Sequence, residues 1–219
     1  MDYFVLDLQE KKIYTFDRFI EDGFVDSINA VGPIAKIKVI NDGEFRIIEI
    51  TSENNKKCQI KIDRANRIVS YINNDVEEIK DNFLHLSSAL TSIELNNVKK
   101  IGNNFLPYCY QVMSISIPNV IEIGDSFLKS DFNIESLSFP KLKKVGNFFL
   151  MFNMALNSFV APNLREVGQR FLASNNNITS FNLRVISIEY SDINLDDNGS
   201  NKGNYMDDLR EILFRGRGK

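Results

Sequence analysis

Five phenylalanines, Phe83, Phe105, Phe127, Phe149 and Phe171, stand 22 residues apart, and each is followed by a leucine. Four residues before each comes Ile79, Ile101, Ile123, Val145 or Val167. Downstream the same step carries Leu90, Val112, Ile134, Leu156 and Ile178, then Ile93, Ile115, Leu137, Phe159 and Phe181, and then Leu95, Ile117, Phe139, Ala161 and Leu183. Five copies without an insertion force a repeat architecture, because one such unit cannot bury its apolar face alone and neighbours must stack to do so. The chain therefore contains a solenoid.

Within a unit, Ser114-Ile115-Ser116-Ile117 alternates polar and apolar residues with period two, as a strand with one buried face does. Stacked copies predict a parallel ladder at roughly 4.8 Å per rung. Pro118, Pro140 and Pro162 close three of these strands, where a missing N–H costs least. Gly102, Gly124, Gly146 and Gly168 follow the isoleucine or valine, which suits either a positive φ or a close backbone approach. The first copy has Lys80 there, so a positive φ is not a strict requirement. Asp81, Asn103, Asp125 and Asn147 come next and are strong N-cap types, which predicts a short helical turn in each unit.

The pattern Ile-Gly-x-x-Phe-Leu…Leu-x-Ser-Leu-x-Leu-Pro-Asn-Leu, clearest in 120–140 and 142–162, resembles the BspA-type leucine-rich repeat. The resemblance covers roughly residues 76–183. It implies a right-handed solenoid of strands and short helical turns that serves in protein–protein contact. The unit is slightly shorter than usual for that family, and Phe-Leu replaces the commoner Ala-Phe.

The strand half of the unit is already legible at Ile68, Ser70 and Tyr71, so the first rung starts near residue 67. Before it, residues 3–8 and 12–16 read as a hairpin, Asp17 caps a helix running to about Asn29, and Gly32-Pro33 stops it. Residues 34–40, 45–50 and 58–62 read as strands. After Ile186 the period fails; 194–204 is a polar loop, and Met206, Leu209, Ile212 and Leu213 share one face of a short helix. The expected fold is thus an α/β leucine-rich-repeat solenoid of 22-residue units, a parallel β ladder with short helical turns. A small N-terminal α+β domain occupies 1–66, the solenoid 67–186, and a polar loop, capping helix and basic tail 187–219.

Chemistry is sparse. One histidine and two cysteines cannot furnish an ordinary zinc site. His85 occupies a slot that elsewhere holds Pro107, Lys129, Met151 and Ala173, and no converging partners accompany it. Cys109 reads as packing. No phosphate-binding loop of the GxxxxGK[ST] kind occurs. Residues 194–200 imitate the front of a calcium loop, yet the twelfth position is Tyr205 where a bidentate Glu is needed. No window reaches the roughly 18 apolar residues that a membrane span requires. The start lacks the pattern of a secretory signal, and the reading is a cytoplasmic protein, delivery into another cell included.

Net charge is −3, and residues 76–183 carry nine basic and nine acidic side chains. A basic stripe of Lys99, Lys100, Lys143, Lys144 and Arg165, helped by the tail Arg215-Gly-Arg217-Gly-Lys219, is a candidate nucleic-acid contact without a stacking platform. A second candidate is apolar. Tyr108, Tyr110, Phe132, Phe148, Met151, Phe152 and Met154 occupy slots that other copies fill with polar or small residues, so they should be partly exposed and form an anchor for a partner. The expectation is a monomeric, non-enzymatic protein-binding module with no cofactor, no metal and no membrane contact, which inhibits or scaffolds its partner. The alternative gives residues 1–66 an enzymatic or nucleic-acid-binding activity that the repeats target.

Overall fold

The computed structural model describes residues 4–7, 9, 12–15, 26–85, 87–175, 177–183 and 187–188. The expected hairpin is present: β1 (Phe4–Asp7) pairs antiparallel with β2 (Lys12–Thr15), Phe4 opposite Thr15. Of the expected N-terminal helix, α1 (Asp26–Asn29) lies within the described residues, and the rest of it lies outside them. So do the polar loop with its calcium-like pattern, the capping helix and the basic tail.

Four antiparallel strands follow: β3 (Ile34–Asp42), β4 (Phe45–Ser52), β5 (Lys57–Ile62) and β6 (Ile68–Ile72). Gly43, with φ +63°, makes the tight turn between β3 and β4. Each rung then contributes a two-residue strand and a longer one. Rung 1 (76–97) holds β7 (Glu78–Ile79) and β8 (Ser92–Glu94), and rung 2 (98–119) holds β9 (Lys100–Ile101) and β10 (Ser114–Ser116). Rung 3 (120–141) holds β11 (Glu122–Ile123) and β12 (Ser136–Ser138), and rung 4 (142–163) holds β13 (Lys144–Val145) and β14 (Ser158–Ala161). β15 (Glu166–Val167) and β16 (Ser180–Leu183) belong to rung 5, and β17 (Ser187–Ile188) follows.

The longer strands pair in parallel with a step of 22, Ser70 opposite Ser92 opposite Ser114, and Ser136 opposite Ser158 opposite Ser180. Because β6 is antiparallel to β5 and parallel to β8, the N-terminal meander and the first two rungs form one mixed sheet in the order β10-β8-β6-β5-β4-β3. The short strands make a second parallel ladder, β7 to β17, on another side of the solenoid. Period-two reasoning does not find it, since two residues per rung show no alternation.

The core is a column of aromatic rings. Phe83, Phe105, Phe127, Phe149 and Phe171 stack face to face, with centroids 5.2 to 5.6 Å apart and planes within 13°. Tyr71 closes the first end edge-on at 5.4 Å. Phe139 and Phe159 meet the column edge-on at 5.8 to 6.5 Å, a favoured approach for aromatic quadrupoles.

The expected helical turns are absent from the described rungs. In their place three alternate residues in each of rungs 2 to 5 are left-handed: Asn104, Leu106 and Tyr108 at φ 55°, 53° and 62° in rung 2, and Phe148, Leu150 and Phe152 at 57°, 54° and 62° in rung 4. This alternation sends N–H groups up and down the array. Leu106 donates to Phe83 of the rung before, while Asn104 and Tyr108 donate to Asp125 and Lys129 of the rung after. A helix would bond within its own chain and measure about 10 Å across. Rungs whose rings stack 5.2 Å apart have no room for one.

The same competition reassigns the Asx residues. Asp81, Asn103, Asp125 and Asn147 do not cap helices; each Oδ1 accepts the backbone N–H of the residue 22 positions later, at 2.7 to 2.8 Å. That bond explains the glycine before it. Gly102, Gly124, Gly146 and Gly168 are not among the positive-φ residues. A β-carbon on Gly124 would lie 2.8 Å from Gly102 C and 2.9 Å from Asn103 N. Close approach is therefore the reason for glycine. Lys80 is tolerated because its rung is the first and no Asx of an earlier rung lies against it.

The strand ladder has one break. Among the described residues no backbone hydrogen bond joins β10 to β12, so β12-β14-β16 is a separate sheet. Met113 N–H reaches Thr91 and Asn157 N–H reaches Glu135, but the corresponding Glu135–Met113 bond is missing. Elsewhere rungs 2 and 3 stay bonded, through Ile121 to Lys99, Gly124 to Ile101 and Leu128 to Phe105. The seam opens only on the strand side. Phe139, the largest residue in the row Leu95, Ile117, Phe139, Ala161, is fully buried in rung 3.

Candidate partner-binding surface

A 22-residue step places equivalent side chains in rows along the solenoid axis. Tyr110, Phe132 and Met154 form one such row and are 44%, 43% and 53% exposed. Tyr110 and Phe132 stack at 5.4 Å with planes 6° apart. Asn133 Nδ2 donates to the Tyr110 carbonyl and Asn177 Nδ2 to the Met154 carbonyl at 2.5 Å, which fixes the backbone beneath the row. Met113, 65% exposed, follows three residues after Tyr110, just before the longer strand of rung 2. Sequence reasoning missed it, although its slot holds Thr91, Glu135, Asn157 and Thr179 and so carries the same signal as its neighbours.

The other expected anchors lie elsewhere. Met151 is buried, with 7% exposure. Tyr108, Phe148 and Phe152 are half-buried, and cations cover two of the rings. Lys129 Nζ lies 5.9 Å from the Tyr108 ring and 5.3 Å from that of Phe148, and the Arg170 guanidinium lies 5.9 Å from Phe148. His85 meets Tyr108 edge-on at 6.1 Å. These contacts make a cation–π cluster, separate from the exposed stripe.

Lys99, Lys100, Lys143, Lys144 and Arg165 are all exposed and fall in two rows, one of Glu77, Lys99, Ile121, Lys143 and Arg165 and one that carries Lys100 and Lys144. Glu78, Lys100, Glu122, Lys144 and Glu166 stand opposite one another in register, so charge alternates at every rung. Lys144 pairs with Glu166 at 3.0 Å and Lys99 with Glu77 at 2.8 Å. Beside this row a shallow groove of about 370 Å³ runs over Gly102, Gly124 and Gly146. Its walls carry both signs, Lys100 and Lys144 with Asp81 and Asp125.

The interior holds a polar row: Ser87, Cys109, Asp131 and Asn153 are buried, and Asn175 is half-buried. Cys109 Sγ donates to the Leu84 carbonyl at 3.1 Å, Asn153 Nδ2 to Leu128 and Asn175 Nδ2 to Leu150, both at 2.7 Å. Each reaches a carbonyl 25 residues back. Asp131 Oδ2 has no partner. Burial pushes the Asp131 carboxyl up to about 6, against the N–H groups of Asn133 and Ile134 that favour its ionised form. Cys58 is buried, and burial raises its thiol to about 12 despite a hydrogen bond with Tyr71. Among the described residues no three His, Cys, Asp or Glu side chains cluster as a metal site would require.

The profile of the BspA type leucine rich repeat region matches residues 77–194 in six copies. The chain belongs to that family. A leucine rich cell surface protein of Faecalibacterium prausnitzii A2-165 shares its fold, with a TM-score of 0.50 at 13% identity over 68% of this chain. That match spans 40% of the Faecalibacterium protein, so this leucine-rich-repeat chain corresponds to about two fifths of it. No curated protein matches in sequence. Among the described residues no helix is long and apolar enough to cross a membrane.

Proposed function

We propose that this leucine-rich-repeat chain is a non-enzymatic module that binds a protein partner through the stripe Tyr110–Phe132–Met154 with Met113. The observation that carries the reading is the exposure of three large apolar side chains in one row, Tyr110, Phe132 and Met154, on a hydrogen-bonded backbone, with Met113 exposed three residues after Tyr110. Isolated exposed apolar residues are normal on any surface, whereas a contiguous row marks contact sites. A rigid stacked scaffold loses little ordering entropy on binding, which favours affinity from a small patch. Lys99 and Lys144 are paired with Glu77 and Glu166, which weighs for a protein over a nucleic acid, since counterion release needs cations that are not already neutralised.

The test is a quantitative pull-down from the native host with the wild-type protein and the Tyr110→Ser/Phe132→Ser/Met154→Ser variant. Loss of a specific partner at unchanged melting temperature supports the reading; an identical partner set refutes it. Binding inhibits a partner when the stripe covers its working surface and scaffolds it otherwise, and the partner's activity with and without the protein separates these. The same reading sets the protein in the cytoplasm, consistent with two buried cysteines, Cys58 and Cys109, that form no disulfide with each other. Protease shaving of intact host cells distinguishes that setting from the cell surface.

A further inference from the structure

The polar row contains one carboxyl, and it lies at the one seam where the strand ladder is open. Asp131 belongs to rung 3 and occupies the slot from which Cys109, Asn153 and Asn175 each donate to a carbonyl 25 residues back in the rung before. The carbonyl in the matching place for Asp131 is that of Leu106, in rung 2. An ionised carboxylate cannot donate, and Oδ2 is the atom left without a partner. Oδ1 is occupied by the Asn133 N–H at 3.0 Å.

We propose that Asp131 is a proton-operated latch across the seam between rungs 2 and 3. In its acid form Oδ2–H donates to the Leu106 carbonyl and holds the rungs together. In its ionised form two oxygens face each other, and the strand side of the seam opens. Tyr110 belongs to rung 2 and Phe132 to rung 3, so the latch sets the geometry of the binding stripe. That last consequence rests on the proposed function; the latch itself does not.

The groups around Asp131 leave it the titrating element. From rung 2 the row presents the Cys109 thiol, which is buried and already donates to Leu84. From rung 4 it presents Asn153, which carries no charge. On its own rung, Lys129 lies over the Tyr108 and Phe148 rings. No cation pairs with Asp131 among the described residues. The elevated affinity of the carboxyl for its proton supports the same assignment.

Hydrogen exchange read by mass spectrometry, corrected for intrinsic rates and run on the full chain from pH 5 to pH 8, tests the latch. Wild-type protection in peptides covering 113–117 and 135–139 should fall relative to Asp131→Asn, approaching about 100-fold for a pKa difference near two units. Peptides covering 158–161 should move alike in both proteins. Asp131→Cys, with the neutral donor that Cys109 supplies in the same row, serves if the asparagine variant folds poorly. An equal pH response in wild type and variants, or a loss spread evenly over all rungs, overturns the proposal. The experiment contains no partner, so failure of the latch and failure of the binding stripe are separate results.

Discussion

Gly146→Ala is the substitution whose sign separates close approach from every other explanation of the repeat glycines. Replacing a glycine whose φ is not positive ordinarily stabilises by about 0.4–1 kcal/mol, because the unfolded chain loses freedom. Here a β-carbon would lie 2.7 Å from Asp125 N and 2.7 Å from Gly124 C, and nearer still to Asp125 Oδ1. Two of those atoms are backbone and cannot rotate away, so rungs 3 and 4 must part locally. The bonds at risk are Gly146 N–H to Ile123 at 2.9 Å and Asn147 N–H to Asp125 Oδ1 at 2.7 Å. The first is a neutral bond of about 0.5–1.5 kcal/mol and the second a charge-assisted one of about 1.5–3 kcal/mol. A loss of about 2–4 kcal/mol is expected, read by urea unfolding with far-UV circular dichroism. Lys80→Ala is the control at the same slot of rung 1, where no earlier Asx is opposed, and should change stability by less than about 0.5 kcal/mol. A Gly146→Ala protein as stable as wild type, or more so, would refute the close-approach account.

Three further outcomes follow from the same contacts. Phe149→Ala removes a fully buried ring stacked between Phe127 and Phe171 and should cost about 3–5 kcal/mol in chemical denaturation. Asp131 has a folded pKa of about 6 against 3.8 as its ordinary value. Its stabilising contribution is therefore complete below pH 3.8 and is lost as pH rises through about 6. Relative to wild type, Asp131→Asn should gain on the order of 3 kcal/mol between pH 4 and pH 8, measured by urea unfolding at both pH values; a gap that does not change with pH would contradict this. Cys58 and Cys109 are buried, and with the Cys58 thiol raised to about 12 both should resist a disulfide-exchange reagent at pH 8 until urea unfolds the chain.

Much of this architecture is legible in the repeat spacing. Phe83 to Phe171, the serines of the strand face and the inward residues Ile93 and Leu137 all follow from a 22-residue step and period-two alternation. The turns do not, because Asp81 and Asn103 carry the same residue types that cap helices. Only the presence of another rung about 5 Å away diverts their oxygens to a neighbour's N–H. Tyr110, Phe132 and Met154 were separable in kind from polar slots, but Met151 was not separable from them. A buried and an exposed methionine read alike when the slot also accepts Lys129. In the basic stripe the interruption by Ile121, Glu122 and Glu166 is already legible in the sequence, and the register places Glu122 between Lys100 and Lys144. The seam between β10 and β12 leaves no local signature, since Ser114–Ser116 and Ser136–Ser138 carry the same alternation as the strands that do pair.

The alternation along the short-strand ladder gives the array a parity. Glu78, Lys100, Glu122, Lys144 and Glu166 change sign at each step. Asp81, Asn103, Asp125 and Asn147 change from carboxylate to amide at the same steps, with each Asn Nδ2 donating back to the preceding Asp Oδ2 at 3.2 Å. Removing rung 2 alone would set Glu78 against Glu122 and Asp81 against Asp125; removing rungs 2 and 3 together would restore both pairings. Shortening or lengthening such a chain is therefore conservative in steps of 44 residues and disruptive in steps of 22, so its smallest interchangeable part is a pair of rungs.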